Sequence, residues 1–440
     1  MIYNRLIVAA IGFIRLEPYD GKLSRTVLRG GKDSNALLLP DYASVEMMLD
    51  PSLRGKAVAV CGSTENRHGI VLAKSELAKK AGVKTGMVNW EARQRCPDLI
   101  MVKPQYEQYL KYSELARNIY QRYTDQVEPY GMDECWLDVG GSRSVCGSGM
   151  EIAESIRQTV KEELGLTVSI GVSFNKMFAK LGSDMKKPDA ITEIRKAAFK
   201  EKIWPLPASD LLFVGRATTA KLEQYGITTI GGIANADPQF LKRLLGVNGL
   251  GLWRSAAGLD DSPVMHKDFV SPIKSVGHGI TCTADLENED EVWKVMLELS
   301  QDIGHRLRIH KLKASGVQIS IRSNDLGFRQ YQAPLTLATQ SPSVIAHKAI
   351  QIFRDNYRWI MPVRAVTVRA INLRPKNEPE QIDLFTDMRQ LERLDRLDDC
   401  IEDIRRRFGK RAVFQACLLG DLKMPFDNRD KVVMPGVMGR

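Results

Sequence analysis

The apolar positions of this chain fall into two textures that meet near residue 206. Before that point, short apolar runs alternate with stretches of helical spacing. Leu6 to Ile14, behind Arg5, reads as a strand or an irregular leader. It is too short to span a bilayer, and no small-x-small cleavage site follows. Thr26-Val27-Leu28 is a short strand leading to Asp33-Ser34-Asn35. The run from Tyr42 to Leu49 is helical and ends at Asp50-Pro51, while Ala57 to Val60 is a buried strand closed by Cys61-Gly62-Ser63. Between Gly69 and Gly86 the spacing predicts a lysine-rich helix carrying Lys74, Lys79, Lys80 and Lys84. An amphipathic helix opens with Tyr106, Tyr109, Leu110 and Tyr112 and leads into Pro129 to Val139, which reads as strand, tight bend, strand. Ile152, Ile156, Val160 and Leu164 keep helical spacing, and Val168 to Val172 returns as a strand.

After Leu206 the pattern changes to small helices with glycine hinges. Phe213 to Thr218 with Gly226-Ile227-Thr228 reads as a helix-hairpin-helix, and Leu245 to Gly251 supplies a second hairpin. Ser262-Pro263 to Ser271-Pro272 is a tether. A β-α-β-β-α-β pattern follows, with strands near 278–284, 317–322, 328–332 and 364–372. Val317, Ile319 and Ile321 share one face and leave Gln318, Ser320 and Arg322 on the other; Val366 and Val368 likewise oppose Thr367 and Arg369. The stretch from Pro375 to Glu380 is a flexible linker, and a helix with Leu391, Leu394, Leu397, Ile401 and Ile404 on one stripe comes after it.

Length and charge narrow the class. At 440 residues the chain needs three or four domains, and its 44% hydrophobic and 26% charged content is that of a globular protein. A net charge of +10 favours a polyanionic partner. The seven cysteines are scattered without a Cys-x-x-Cys pair, which argues against a disulfide framework or zinc and for a reducing cytoplasm. Six dispersed histidines give no histidine-based metal site, and membrane attachment is not expected.

The chemistry concentrates at Asp133-Glu134. Adjacent carboxylates inside an apolar run repel unless something positive lies between them, and oxygen-only ligands suit Mg²⁺ or Mn²⁺. The bland alternative is an acidic hairpin tip in water. Lys176, Lys180 and Lys187 follow a strand expected to pair near Asp133, and lysine beside a two-carboxylate metal site is what a nucleoside triphosphate needs. Hairpins of the kind that hold Gly215, Arg216 and Gly249 point backbone N–H groups at a phosphate, binding DNA without reading bases. The open sheet face with Arg322 and Arg369 is polar and basic and suits a DNA backbone. Gln381-Ile382-Asp383-Leu384-Phe385, in an exposed linker, fits a pocket on a partner.

Three segments together resemble the Y-family translesion DNA polymerases, on the bacterial branch of polymerases IV and V. They are Tyr-Gly-Met-Asp-Glu-Cys-Trp-Leu-Asp (130–138), the Ser-Phe-Asn-Lys to Lys-Pro run (173–188) and Tyr-Ala-Ser-Val-Glu (42–46). The resemblance covers about 25–409. It implies an α+β multidomain fold, a right hand with palm, fingers, helix-hairpin-helix thumb and little finger. The expected boundaries are an unmatched leader at 1–24, a palm at 25–205 with fingers inserted at about 43–104, and a thumb at 206–262. A tether at 263–275, a little finger at 276–375 and a tail at 376–440 complete the chain.

By the same resemblance Asp33, Asp133 and Glu134 hold two Mg²⁺ ions, with Mn²⁺ as the substitute, and the Ser34 carbonyl helps bind the second. Tyr42 is the steric gate against a ribose 2′-hydroxyl, and Lys187 with Lys79 contacts the triphosphate. Residues 381–385 are similar to the peptide by which such enzymes hold the sliding clamp. A monomer acting on primer-template DNA and deoxynucleoside triphosphates in the cytoplasm is implied. Three departures stand out: Leu37 to Asp41 inserted between Asp33 and Tyr42, Glu76 and Lys79 where many members carry Tyr and Arg, and Gly131 in place of a common serine. The second reading is a DNA- and clamp-binding relative disabled by that insertion. A palm-type nucleotide cyclase is a weaker third, having no use for the hairpins or the clamp peptide.

Overall fold

The computed structural model describes residues 7–11, 42–379, 381, 388–410 and 412–425. Asp33, Ser34, the Thr26 strand and Ile382 to Phe385 lie outside those residues. The first unit is a five-stranded sheet of order β5-β6-β1-β7-β8. Its strands are β1 (Ile7–Ile11), β5 (Val127–Pro129), β6 (Glu134–Asp138), β7 (Ser169–Ser173) and β8 (Ile191–Ile194). Here the sequence reading needs correction, because part of the segment set aside as a leader is the middle strand. β1 runs antiparallel to both neighbours, from Ile7 opposite Asp138 and Ser173 to Ile11 opposite Glu134 and Ser169. A five-residue apolar run is ambiguous in isolation, and only its partners far along the chain give it a place in the sheet.

Period-two alternation in β6 sorts the site. Cys135 and Leu137 go into a core with helices α1 (Tyr42–Leu49), α3 (Tyr106–Tyr120) and α4 (Gly149–Leu164). Trp136 packs on the opposite side with Tyr130, Ala179 and Val264. Glu134 has the same parity as Trp136 and so faces helix α5 (Lys176–Met185). Local signals end these helices where expected. Ser148 and Glu151 form a capping box at the start of α4, and Gly165, in the left-handed region, closes it. The Asn175 side chain accepts from the Phe178 N–H at the start of α5.

The depth of α5 on the sheet depends on two glycines. A Cβ at Gly171 in β7 would stand 1.9 Å from the Ala179 carbonyl oxygen. Gly182 of α5 in turn meets the Gly171 Cα and Ile194. No larger residue allows this approach, which brings Lys180 over the end of β6.

A three-stranded sheet, β3-β2-β4, forms a second small core around Ala59, Val71, Ala78 and Leu99. Its strands are β2 (Val58–Cys61), β3 (Val71–Lys74) and β4 (Ile100–Val102). The lysine-rich stretch is therefore strand β3 followed by a short helix α2 (Glu76–Lys80), not one helix. The residues past Leu206 gather as small helices around Leu222, Ile230, Leu241 and Leu252. These include α6 (Arg216–Glu223), α7 (Pro238–Leu245) and α8 (Val247–Ala256).

The last sheet has order β11-β10-β12-β9, all antiparallel. Its strands are β9 (Val276–Leu286), β10 (Leu312–Ser323), β11 (Phe328–Thr339) and β12 (Val363–Pro375). Helices α9 (Glu289–Ile309) and α10 (Pro342–Asn356) cover its apolar face, in the β-α-β-β-α-β order expected. The preceding tether is partly docked: Val264 is buried, and Glu128 accepts from the Met265 N–H and from Lys176. A C-terminal helix α11 (Met388–Phe408) and the chain after it lie back along α9. Arg308–Asp398, Lys410–Glu298 and Lys423–Glu291 ion pairs hold them there.

Candidate active site

The bend between β5 and β6 presents two buried carboxylates. Gly131 takes φ 91° and the Tyr130 N–H donates to the Glu134 carbonyl at 2.6 Å, which makes the turn tight. Ser113 of α3 donates to the Met132 carbonyl and fixes the residue before the pair. Asp133 is 4% exposed and neither of its carboxylate oxygens has a hydrogen-bond partner among the described residues. Burial, and then the charge of Glu134, push its pKa well above the ordinary carboxylate range. Burial also raises Glu134, against the pull of Lys180, whose ammonium lies 3.4 Å from Oε1.

Lys180 does not stand alone. Its Nζ is 2.7 Å from Asp184 Oδ2, and Lys187 Nζ is 2.8 Å from Asp184 Oδ1. Burial pulls the Lys180 ammonium down, but Glu134 and Asp184 outweigh it and the net shift is upward. Three carboxylates thus face two ammoniums, and when all are ionised one negative charge is left over at Asp133. Orphaned, buried, oxygen-only ligands with excess negative charge fit a hard divalent cation. Among the described residues no group of three or more acids, histidines or cysteines is clustered for a metal. Two carboxylates together with substrate phosphates are a common way for Mg²⁺ to be held.

A cleft of about 350 Å³, which shares Lys187 with this cluster, opens between the five-stranded and three-stranded units. Lys56, Lys74 and Lys187 line it, with Ser44 and Ser75. Three ammoniums on one small cleft suit a polyphosphate. Lys56 carried no sequence signal, and Lys74 was grouped with a helix face when it in fact ends a strand. Lys79 does not line the cleft; it pairs with Glu76 at 3.6 Å on the exposed side of α2. The Tyr42 ring is fully buried, stacked on Tyr109 at 4.0 Å and edge-on to Tyr106. Lys176 is turned away too, paired with Glu128 and lying over the Trp136 ring.

Residues 41–184 match the model of the impB/mucB/samB family and residues 273–384 that of its C-terminal domain. A DNA polymerase IV of Acetivibrio thermocellus is 50% identical over 86% of this chain and 95% of its own length. DNA polymerase IV 1 of Bacillus subtilis is 35% identical over 86% and 91%. A solved Y-family DNA polymerase chimera superposes with a TM-score of 0.68 at 21% identity, covering 84% of this chain and 99% of the other. The chain belongs to the Y-family of DNA polymerases. Its hand is the right hand of that family: five-stranded palm, three-stranded fingers, helical thumb and four-stranded little finger. The first match of the Y-family model begins at residue 41, so β1 and the residues up to 40 lie outside it.

The DNA-facing expectations divide in the same way. Gly215 and Arg216 are exposed at the start of α6, and a Cβ on Gly215 would meet nothing within 4 Å. Gly249 is corrected: it is buried inside α8, its N–H donates to the Gly246 carbonyl, and a Cβ there would stand 2.1 Å from the Leu241 oxygen. It packs α8 on α7, and the turn residue is Gly246 with φ 71°. Arg322 is corrected as well, since it is 5% exposed with its guanidinium over the Phe328 ring. Alternation put it on the open face correctly, but the neighbouring aromatic covers it. Arg369 is half-buried on that face, in register with Gln318 and Gly277. Gln381 is exposed.

Proposed function

We propose that this Y-family chain is a template-directed DNA polymerase that copies damaged templates at low fidelity. One observation carries the reading. Both oxygens of the buried Asp133 lack a partner among the described residues beside Glu134, in a chain 50% identical over 380 residues to a protein named DNA polymerase IV. The binding-only alternative is not favoured by that relationship. Mg²⁺, as two ions or with Mn²⁺ in its place, would activate a primer 3′-hydroxyl and neutralise the triphosphate and its leaving pyrophosphate.

The residues of the chain do the rest. Asp133 and Glu134 hold the cation site, which Asp33 and the Ser34 carbonyl complete as the resemblance implies. Lys180 keeps Glu134 in place, and Lys187, with Lys56 and Lys74, attracts the triphosphate to the cleft. Gly215, Arg216 and Arg369 meet the primer-template backbone. The palm is taken as β1 with residues to about 205, the fingers as about 50–104, the thumb as 206–262 and the little finger as 276–375. No described helix is long and apolar enough to cross a membrane, and we place the protein in the cytoplasm as a monomer.

The test is primer extension over an abasic site beside the undamaged template. Synthesis past the lesion is expected, and a complete stop opposite it with normal synthesis elsewhere contradicts the translesion reading. Residues 381–385 are read as the peptide that holds the sliding clamp. Alanine at Leu384 and Phe385 is expected to release the protein from a bacterial clamp in a pull-down, with distributive synthesis spared. Equal retention would remove that role.

A further inference from the structure

Asp184 belongs to none of the roles above, yet it touches both lysines of the site. It sits near the end of α5 with Oδ2 on Lys180 and Oδ1 on Lys187. The two lysines are not equivalent. The Lys180 side chain is 3% exposed and is held between Asp184 and Glu134, whereas Lys187 lines the cleft. The acids that line the cleft are engaged elsewhere: Glu76 pairs with Lys79, and Asp189 pairs with Arg157 and Lys161. A phosphate that reaches Lys187 therefore competes with one carboxylate above all, Asp184.

We propose that Asp184 is a positioning residue, a resident anion that holds Lys187 in the nucleotide-free enzyme and yields it to the incoming triphosphate. This rests on the reading of Lys187 as a triphosphate contact. When Lys187 is taken by phosphate, Asp184 keeps its bond to Lys180. Lys180 is then more fully neutralised by Asp184 and pulls less on Glu134, which leaves that carboxylate freer for a cation. The device links nucleotide arrival to a stronger metal site, with no change in backbone required.

The two effects of removing the charge have opposite signs. Asp184→Asn removes the competitor for Lys187, and charge-assisted hydrogen bonds are strong enough that triphosphate binding should tighten about tenfold. It also leaves the Lys180 charge directed at Glu134, so divalent-ion binding should weaken by several-fold. A merely structural role would weaken both.

The test uses the full chain on a primer-template with a dideoxy end, so that no chemistry intervenes. A deoxynucleoside triphosphate is titrated without divalent ion, and Mn²⁺ alone is titrated by electron paramagnetic resonance. Wild type, Asp184→Asn, Asp184→Glu and Lys187→Ala are compared, with melting temperatures to confirm folding. Tighter triphosphate and weaker Mn²⁺ for Asp184→Asn, with both restored towards wild type by Asp184→Glu, is the expected result. Unchanged or weaker triphosphate binding in Asp184→Asn, with Lys187→Ala still weakening it, overturns the proposal and leaves Lys187 in its role. Should Asp184→Asn fail to fold, Asp184→Ser takes its place with the same expected result, and triphosphate binding no tighter than wild type overturns the proposal. Triphosphate binding unaffected by Lys187→Ala would overturn the underlying reading as well.

Discussion

Asp133→Asn is expected to lower primer extension by about a thousandfold or more, because a charged cation ligand at the reacting centre is lost. The same substitution should make the metal-free protein more stable. Asp133 is buried with both oxygens unpartnered among the described residues, and its folded pKa is raised by burial and by Glu134. A raised folded pKa means that stability is fully present below the unfolded carboxylate pKa and is lost as pH rises through the folded value. At neutral pH, above the unfolded carboxylate pKa, the metal-free wild type therefore carries a cost that asparagine, with no charge to bury, removes. We expect a gain of about 1–3 kcal/mol at pH 7.5 in chelator, shrinking as the pH is lowered to 5. Thermal melts at the two pH values check this. A variant that melts below wild type at pH 7.5 would show that the site is not strained by charge.

Lys180→Met should be the most destabilising single change in the site. Its ammonium lies between Glu134 and Asp184 with almost no exposure, so methionine of similar length leaves the buried Glu134 without its counter-ion, while Asp184 keeps Lys187. Breaking a buried pair from one side costs about 3–5 kcal/mol. The double variant Lys180→Met with Glu134→Gln should lose less than the single, because the uncompensated charge goes with its partner. Denaturant midpoints measure both. A double variant less stable than Lys180→Met would contradict an electrostatic origin and point to packing.

Much of this is legible in the amino-acid sequence. Asp133-Glu134 stood out because adjacent acids inside an apolar run demand an explanation, and the little finger was readable from period-two strands separated by helical stripes. Other features depend on distant parts of the chain meeting. The pairing of Lys180 with Glu134 follows from how closely α5 approaches β7, which Gly171 and Gly182 permit and which no local pattern reveals. Ile7 to Ile11 read as apolar and strand-like, but its partners are more than a hundred residues away, so nothing nearby marked it as the centre of the palm sheet. Arg322 and Gly249 had the right periodicity and turn chemistry, and were displaced from their expected roles by one aromatic neighbour and one tight helix crossing. The stacking of Tyr42 on Tyr109 joins residues more than sixty positions apart, which no local pattern reveals.

The central claim is that the carboxylate pair at the end of β6 works as a cation site for nucleotidyl transfer. The most direct measurement is extension of an undamaged primer-template by the wild-type chain, with Mg²⁺ titrated against chelator. The account predicts stepwise addition of deoxynucleotides that rises with Mg²⁺ and stops in chelator. Tight binding of the primer-template with no addition at any Mg²⁺ or Mn²⁺ concentration would contradict it.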